Sequence, residues 1–284
     1  MRTRTLLVVL VLSLVAAACA GNDQTAATAA ASDAPFGPDA FASVASSNLA
    51  VGTERVLITI TNDAGQRLPS PDIPITMELW LDGRESQRQT VDGIFMWTIP
   101  GVSGLYRAIV DLDVAGTWMI QVTPNGGEPL DPAAVTVYDD PVTRAIGQPA
   151  PRSETLTSAD GPLDEISSDT DPEPSFYELT IAEAVTSGRP SVITFATPRF
   201  CTTSICGPTL DLMRTLAPRF PGVNFLHVEV FTNINDPDNL ALVPAVEEWG
   251  LPTEPWVFVV DAEGIVIGRF EGLVAGEELA ALLP

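Results

Sequence analysis

The chain has 284 residues and a formal net charge of −23, and each of its 14 basic residues is an arginine. This length suits two domains with connecting segments, and a hydrophobic share of 45% is enough to bury a sizeable core. Because a surface this acidic repels phosphate backbones, we exclude nucleic-acid binding from the candidate functions.

The N-terminus has the features of an export signal. Arg2 and Arg4 form a basic end, residues 6–15 form an apolar run, and small residues at 16–18 precede Cys19. A basic end, an apolar stretch of about ten residues and small residues before a cleavage site define a secretory signal. The apolar run is shorter than the roughly 20 residues that a membrane-spanning helix needs. The sequence therefore predicts an exported protein.

Cys19 resembles the lipidated cysteine of bacterial lipoprotein signals, although Ala16 stands where that family usually has leucine. The resemblance implies that residues 1–19 are a lipoprotein signal peptide region with lipidated Cys19, and that a lipid anchor holds the protein on the outer face of the cell membrane. The alternative is an ordinary signal peptide that is cleaved nearby. Residues 20–36, rich in Ala, Thr, Ser and Asp, are expected to form a flexible stalk.

Residues 37–142 show short apolar alternations separated by turn residues, a pattern that predicts an all-β sandwich. Val56, Ile58 and Ile60 form one face of the first clear strand, and further strands are expected around residues 75–81, 95–99, 106–112 and 118–122. The run 104–118 resembles the Ig-like sandwich domains of exported bacterial proteins, some of them linked to copper handling. Because this domain contains neither cysteine nor histidine, we interpret it as a structural or partner-binding module.

Residues 143–176 are rich in Pro, Ser, Asp and Glu, which is typical of a linker. Within this segment, residues 146–151 resemble the lead-in of extracytoplasmic redoxin domains. Residues 169–174 are expected to form a solvated loop.

From residue 177 to 284 the pattern changes to alternating helices and strands. We expect helices at 179–186, from Pro208 onwards, at 244–249 and at 277–283, and strands at 192–195, 223–231, 256–260 and 265–270. This order is that of the thioredoxin fold. The predicted fold class is a multidomain protein with an N-terminal all-β Ig-like sandwich and a C-terminal α/β thioredoxin-like fold.

The chain has three cysteines. If Cys19 is lipidated, Cys201 and Cys206 remain in an oxidising compartment, where a disulfide between them is the expected state. Two positions five apart on a regular helix are too distant for a bond that requires Cα atoms within about 7 Å. The pair therefore predicts a loop that leads into a helix.

The segment around Cys201 resembles a known redox family. Strand residues 191–195, followed by the loop 196–201, resemble the strand and cysteine loop of thiol–disulfide interchange proteins, in which an aromatic residue like Phe200 precedes the first cysteine. Residues 251–261 resemble the family's cis-proline segment, with Pro255 in that position and Pro252 as its rival. The resemblance implies Cys201, Cys206 and Pro255 as catalytic residues, no cofactor, and protein thiols or an exported partner protein as partners.

Two departures from that family leave alternatives open. Four residues separate the cysteines instead of two, and Thr194 stands where many thioredoxins bury an acid. In a second alignment, residues 206–209 resemble the Cys-Gly-Pro-Cys motif with threonine replacing its last cysteine. Cys206 would then be the attacking thiol at a helix N-terminus, and Cys201 would resolve it. The alternative to a thiol–disulfide exchange function is a redox-inert binding or scaffold protein whose disulfide is structural.

Metal and hydrolytic chemistry receive weaker support. The Sco-type copper chaperones combine a cysteine pair with a histidine on this fold, but His227, the only histidine, lies inside a predicted strand, where a core role is the commoner one. The acidic run 233–239 lacks the glycine and terminal glutamate of a calcium loop and is expected to be a solvated turn. A single histidine offers little material for a hydrolase triad.

Overall fold

A computed structural model of the chain describes residues 35–284. The predicted signal peptide, Cys19 and most of the predicted stalk lie outside the described residues. Between residues 35 and 284, no helix has the length and apolar character needed to cross a membrane.

The first part of the described chain forms one eight-stranded sheet, which we call the large sheet. Its strands are β1 (Phe41–Val44), β2 (Leu49–Ala50), β3 (Gly52–Thr61), β4 (Ile75–Leu81), β5 (Gln89–Ile99), β6 (Ser103–Leu112), β7 (Gly116–Pro124) and β8 (Ala133–Tyr138). The strand order is β1-β3-β6-β5-β4-β7-β8-β2. Neighbouring strands are antiparallel, except for the parallel pair β2 and β8.

The large sheet is curled, and β5 joins its two halves. Residues 89–93 of β5 pair with β4, whereas residues from 94 onwards pair with β6. The halves enclose one apolar core, in which Val56 and Ile58 of β3 belong to the same cluster as Met77 and Leu79 of β4. The alternation of side chains along a strand directs these residues inward. The predicted all-β character of residues 37–142 is confirmed, but the sequence pattern does not predict the edge strands β1 and β2 or the strand β8 beside β2.

The last part of the chain forms a four-stranded sheet, the small sheet, with a two-stranded ribbon beside it. Its strands are β9 (Ser191–Ala196), β10 (Asn224–Glu229), β13 (Trp256–Val260) and β14 (Val266–Glu271); the ribbon consists of β11 (Phe231–Thr232) and β12 (Ala241–Leu242). The order is β10-β9-β13-β14, with β9 and β10 parallel and β13 antiparallel to both of its neighbours.

Short helices cover both faces of the small sheet. They are α1 (Leu163–Ile166), α2 (Ile181–Ala184), α3 (Cys206–Leu216), α4 (Pro244–Trp249) and α5 (Gly276–Ala280), with 3₁₀ turns at Pro174–Tyr177, Ala217–Arg219 and Pro237–Asn239. Residues of α3 and α5 pack on one face of the sheet, and residues of α2 and α4 pack on the other. Each residue of β9, β10 and β13 is therefore buried.

The segment 143–176 is packed against the small sheet along much of its length. The Gly147 N–H donates to the Val266 carbonyl at 2.8 Å, and the Ala150 N–H donates to the Gly264 carbonyl at 2.9 Å. The expectation of a solvated loop at residues 169–174 is wrong for Asp169, because its carboxylate is paired with Arg214 and its side chain is only 10% exposed. The salt bridge fixes this segment to α3.

The outward face of the large sheet meets the cysteine-bearing end of the small sheet. Leu57, Met96 and Leu105 of the large sheet form one buried cluster with Ile205 and Leu273, and we call these five residues the apolar seam. Because Leu57 points away from the core of its own sheet, its 2% exposure is caused by this contact.

Ion pairs border the apolar seam. The Glu278 carboxylate accepts from the Arg55 Nε at 2.8 Å and lies 3.4 Å from the Arg107 Nε, and these three side chains are only 10–13% exposed. Arg269 is paired with Glu54, and its Nη1 donates to the Thr143 hydroxyl at 2.8 Å. Removing one partner from an ion pair this far from water leaves an uncompensated charge, which is strongly destabilising.

Candidate functional site

The site is built where β9 ends and α3 begins. Cys201 lies in the loop that follows β9, and Cys206 is the first residue of α3. The two residues form a disulfide with Cα atoms 6.1 Å apart, which confirms the predicted bond and the predicted loop before the helix. Cys206 packs with Ala196 and Leu210, and Cys201 lies against this cluster.

The two cysteines differ sharply in accessibility. Cys206 is fully buried, at 0% exposure, whereas Cys201 is half-buried and is followed by three exposed residues. Because a helix N-terminus stabilises a thiolate, the sequence predicts Cys206 as the attacking thiol. The structure confirms the position of Cys206 at the helix start, but of the two cysteines only Cys201 is partly exposed to solvent.

The helix N-terminus acts on the accessible sulfur. The Cys206 N–H, at the start of α3, donates to the Cys201 Sγ at 3.3 Å, and the Thr203 Oγ1 also lies 3.3 Å from this sulfur. Free N–H groups and the positive end of the helix dipole stabilise a thiolate held at this position. Cys201 is therefore partly exposed and also accepts a hydrogen bond from a donor that favours its thiolate form.

Pro255 lies opposite the strand end that contacts Cys206. Trp256 of β13 pairs with Phe195 of β9, and continuing this antiparallel register by one step places Pro255 opposite Ala196, the residue that packs on Cys206. The Glu254–Pro255 peptide bond is cis, as the sequence resemblance predicts. Pro255 is buried, whereas its rival Pro252 is exposed.

The apolar seam forms one wall of the site. Ile205 lies between the two cysteines in sequence and is 8% exposed because the large sheet covers it. Gly272, whose N–H donates to the Pro255 carbonyl at 2.8 Å, lies beside both Ile205 and Leu57. The large sheet therefore covers the flank of the cysteine loop that lies nearest to Pro255.

Glu271 connects the same flank to the large sheet. Its carboxylate accepts from the Ser47 N–H at 2.8 Å and from the Thr253 hydroxyl at 3.0 Å. Ser47 precedes β2, and Thr253 lies in the loop before Pro255. The loop around Pro255 is thus held against the large sheet by polar contacts as well as by the apolar seam.

Two buried hydroxyls lie on or beside β9. Thr194 shares a strand face with Val192, which packs with Met213 of α3, and with Ala196, which packs with Cys206; its side chain therefore faces α3. Among the described residues, neither the Thr194 hydroxyl nor that of Thr197 has a hydrogen-bond partner. The sequence draws attention to Thr194 because of its position in the predicted strand, whereas no sequence motif indicates a role for Thr197.

His227 occupies a polar core position. Its Nε2–H donates to the Ala196 carbonyl at 3.0 Å, and its Nδ1 accepts from the Tyr177 hydroxyl at 2.5 Å. Burial lowers the pKa of His227 below its usual value and raises that of Tyr177. The Tyr177 hydroxyl also lies 2.9 Å from the Ser167 Oγ. Both ring nitrogens are engaged within the protein, which favours the core role over the copper-ligand role.

The acidic run 233–239 folds as a turn. The Asp236 N–H donates to the Asn233 carbonyl at 2.7 Å, and the Asn233 side chain donates to the Asn239 carbonyl at 3.0 Å. Throughout residues 35–284, His, Cys, Asp and Glu form no group of three or more that could hold a metal ion. These hydrogen bonds define the turn.

Comparison with known proteins adds little. No protein-family model matches the chain, and no curated protein matches it. One similar solved structure is the sensor domain of the anti-sigma factor RsgI4 from Pseudobacteroides cellulosolvens, with 13% sequence identity, a TM-score of 0.25, and coverage of 36% of this chain and 96% of that one. A similarity at this level supports no inference about fold or function.

Proposed function

We propose that the protein is a membrane-tethered, extracytoplasmic thiol–disulfide exchange protein that acts through Cys201 and Cys206. The observation that supports this function best is the pairing of a half-buried cysteine with a fully buried one at the start of an 11-residue helix. An exchange protein needs one sulfur that a partner can attack and a second that leaves and later returns. Pro255 is the third proposed site residue, as part of the surface that receives a partner polypeptide.

The architecture of the last part of the chain is compatible with this proposal. The small sheet has its first and second strands parallel, its third strand antiparallel beside the first, and its fourth at the edge. A helix that starts at Cys206 follows the first strand. We propose a thioredoxin-like fold for residues 177–284 on this order of elements, and an Ig-like sandwich for the large sheet.

The exchange reaction uses two attacks. A partner thiolate attacks the Cys201 Sγ, the bond to Cys206 breaks, and the Cys206 sulfur leaves as a thiolate with the electron pair. A second thiolate of the partner then attacks the partner's own sulfur in the mixed disulfide and releases Cys201 as a thiolate, which the Cys206 N–H stabilises. The partner loses two electrons and the protein gains them; the reverse sequence reduces a partner disulfide.

Trapping the mixed disulfide tests this assignment of roles. In a Cys206→Ser variant, Cys201 remains accessible, and oxidised glutathione should form a stable mixed disulfide that mass spectrometry detects. In the matched Cys201→Ser variant, burial of Cys206 should slow the same reaction by about tenfold or more. Faster modification of the Cys201→Ser variant would reverse the proposed roles, and no modification of either variant would contradict exchange.

A structural disulfide is the second candidate. Ile205 is buried in the apolar seam and Cys206 is buried beneath it, so the bond also fixes the seam loop to α3. Closing so short a loop stabilises a fold by about 2 kcal/mol in the chain-entropy account. Under this alternative, glutathione does not reduce the bond in the folded protein. Protein that is reduced under denaturing conditions and then refolded should have a lower unfolding midpoint than the oxidised protein.

The tether is proposed from the sequence resemblance at Cys19. Growth of an expressing bacterial strain with radiolabelled palmitate tests it directly. We expect label on the full-length protein and no label on a Cys19→Ala variant. Equal labelling of the two proteins would contradict lipidation at Cys19.

A further inference from the structure

A cavity of about 860 Å³ opens beside the cysteine loop, between the segment 154–166, the end of β10 and the ribbon β11–β12. Phe231 contributes to its wall and packs edge-on against Phe200, with ring centroids 6.0 Å apart. The cavity is of a size that accepts a small organic molecule. The proposed exchange reaction does not use it.

Carboxylates outnumber cationic side chains at the cavity wall. It is lined by five carboxylates, those of Glu154, Asp160, Glu165, Glu229 and Asp236, and by neither arginine nor lysine. Within residues 35–284, none of the five forms a salt bridge. Arg199 borders the cavity, but its Nη1 donates to the Ile234 carbonyl at 3.0 Å and contacts the Asn235 side chain.

Glu229 is the most buried carboxylate of the cavity wall. It is only 6% exposed, and its two carboxylate oxygens accept from the Ser168 and Val230 N–H groups at 2.8 and 3.0 Å. Each oxygen of an ionised carboxylate has a second lone pair that can accept from a cation. His227, the neighbouring side chain on the wall, stays neutral because burial lowers its pKa.

Part of the remaining wall is apolar. Ile166, Val228, Ile234 and Val243 line the cavity, and Leu156 at its rim is 54% exposed. The carboxylates are spread over this surface and do not converge, since no group of three or more ligands within residues 35–284 could hold a metal ion. A compact inorganic cation therefore fits the wall poorly, whereas an extended molecule can satisfy both kinds of surface.

We propose that this cavity binds a small organic cation with an apolar body, such as an arylalkyl amine. The ammonium group would pair with Glu229, the other carboxylates of the wall would attract it from a longer distance, and the apolar body would cover Leu156 and Ile166. Because Glu229 is buried and the other four carboxylates of the wall are exposed, ion pairing with Glu229 is the stronger interaction, and it distinguishes this site from general attraction to an acidic protein.

The test uses two probes of the same shape and different charge. 4-Phenylbutylammonium and the neutral 4-phenylbutan-1-ol are titrated into the protein and followed by calorimetry at low ionic strength. We expect the amine to bind about tenfold tighter than the alcohol, because one charge-assisted hydrogen bond is sufficient for that difference. Equal affinity of the two probes, or no binding of either, would overturn the proposal.

Variants of the lining carboxylates test whether the amine binds in this cavity. Glu229→Gln should weaken the amine about tenfold and leave the alcohol unchanged. Because Glu229 also accepts two backbone N–H groups, the double variant Glu154→Gln/Glu165→Gln, which changes exposed carboxylates, provides a second test with less risk to folding. The matched control is Glu263→Gln in the turn before β14, outside the cavity. An equal loss in the control would show attraction to the overall negative charge and contradict the site.

Discussion

The two sheets bury their apolar residues in different ways. In the large sheet, strands such as β6 alternate, with Tyr106, Ala108 and Val110 inside and Ile109 half exposed on the outward face. In the small sheet, β9, β10 and β13 are buried at each residue because helices cover both faces. We therefore expect polar substitutions to be tolerated on the outward face of the large sheet and not within the strands of the small sheet that are buried on both faces.

This difference explains where the two sheets meet. On the outward face of a one-sided sheet, an apolar residue is expected to contact water unless another part of the molecule covers it. Leu57, Met96 and Leu105 break the polar pattern of that face and are covered by the cysteine-bearing loop. The proposed redox site therefore has the large sheet as part of its wall.

The largest expected effect contrasts a buried with an outward strand position. Val259→Asp in β13 places a charge at a residue with 0% exposure, and we expect a loss of more than about 4 kcal/mol, sufficient to unfold this part of the chain. Ile109→Asp, at a residue with 50% exposure, should change stability by less than about 1 kcal/mol. Urea unfolding followed by circular dichroism measures both, and a stable Val259→Asp variant would refute two-sided burial.

The next effect tests the apolar seam. Leu57→Ala should cost about 3 kcal/mol, as truncation of a buried leucine does, although Leu57 lies on the outward face of its strand. Ile109→Ala, on the outward face of β6 but away from the seam, serves as the control and should cost less than about 0.5 kcal/mol. Unfolding free energies from urea titrations report the difference. Equal costs for the two variants would mean that the sheets do not pack as described.

The ion pairs beside the seam provide a smaller effect. Glu278→Gln leaves Arg55 and Arg107 facing a neutral amide in a site with about a tenth of each side chain exposed, and we expect a loss of about 2 kcal/mol. The exposed pair of Arg88 and Glu78 is the matched contrast, and Glu78→Gln should cost less than about 1 kcal/mol. A larger loss for Glu78→Gln would contradict the burial of the interface pairs.

The smallest effect is a pH dependence in the small sheet. Burial keeps the pKa of His227 below its ordinary value, so below about pH 6.5 the unfolded chain binds a proton that the folded protein does not. Stability is therefore complete above that pH and falls on acidification, by up to about 1.4 kcal/mol per pH unit.

The control for this pH dependence is His227→Gln. It removes the only imidazole while retaining hydrogen-bonding capacity towards Tyr177 and the Ala196 carbonyl. The unfolding free energies of the two proteins are compared between pH 7.5 and 5.5, about one unit on each side of an ordinary imidazole pKa. The difference between the two profiles isolates the effect of this group from that of the carboxylates. Parallel pH profiles would show that His227 is not a buried neutral base.

Much of the local structure could be predicted from sequence. The unbroken apolar run of β13 and the proline that opens α4 predict both elements with their observed bounds, and the spacing of Leu210, Met213 and Leu216 predicts the buried face of α3. Short edge strands such as β2 have no such signal, since two residues show no periodicity and their conformation depends on a partner strand.

The candidate site was only partly accessible from sequence. The disulfide is expected from the cysteine count in an oxidising compartment, and Pro208 together with the resemblance at residues 206–209 indicates a helix start at Cys206. Which cysteine remains accessible depends on the packing of Cys206 against Ala196 and Leu210. The contact of Ile205 with Leu57 and Leu105, residues distant in sequence, has no local pattern that indicates it. The acidic cavity likewise combines Glu154, Glu229 and Asp236 from separate segments, so only the folded chain brings their charges together.

The reduction potential of the Cys201–Cys206 pair tests the central claim most directly. The protein lacking residues 1–19 is equilibrated in glutathione and dithiothreitol buffers, and the oxidised fraction is read by thiol alkylation and mass spectrometry. The proposed exchange function predicts a potential between about −270 and −120 mV, the range of known exchange proteins. A bond that remains oxidised below about −300 mV would contradict exchange and make the disulfide a structural one.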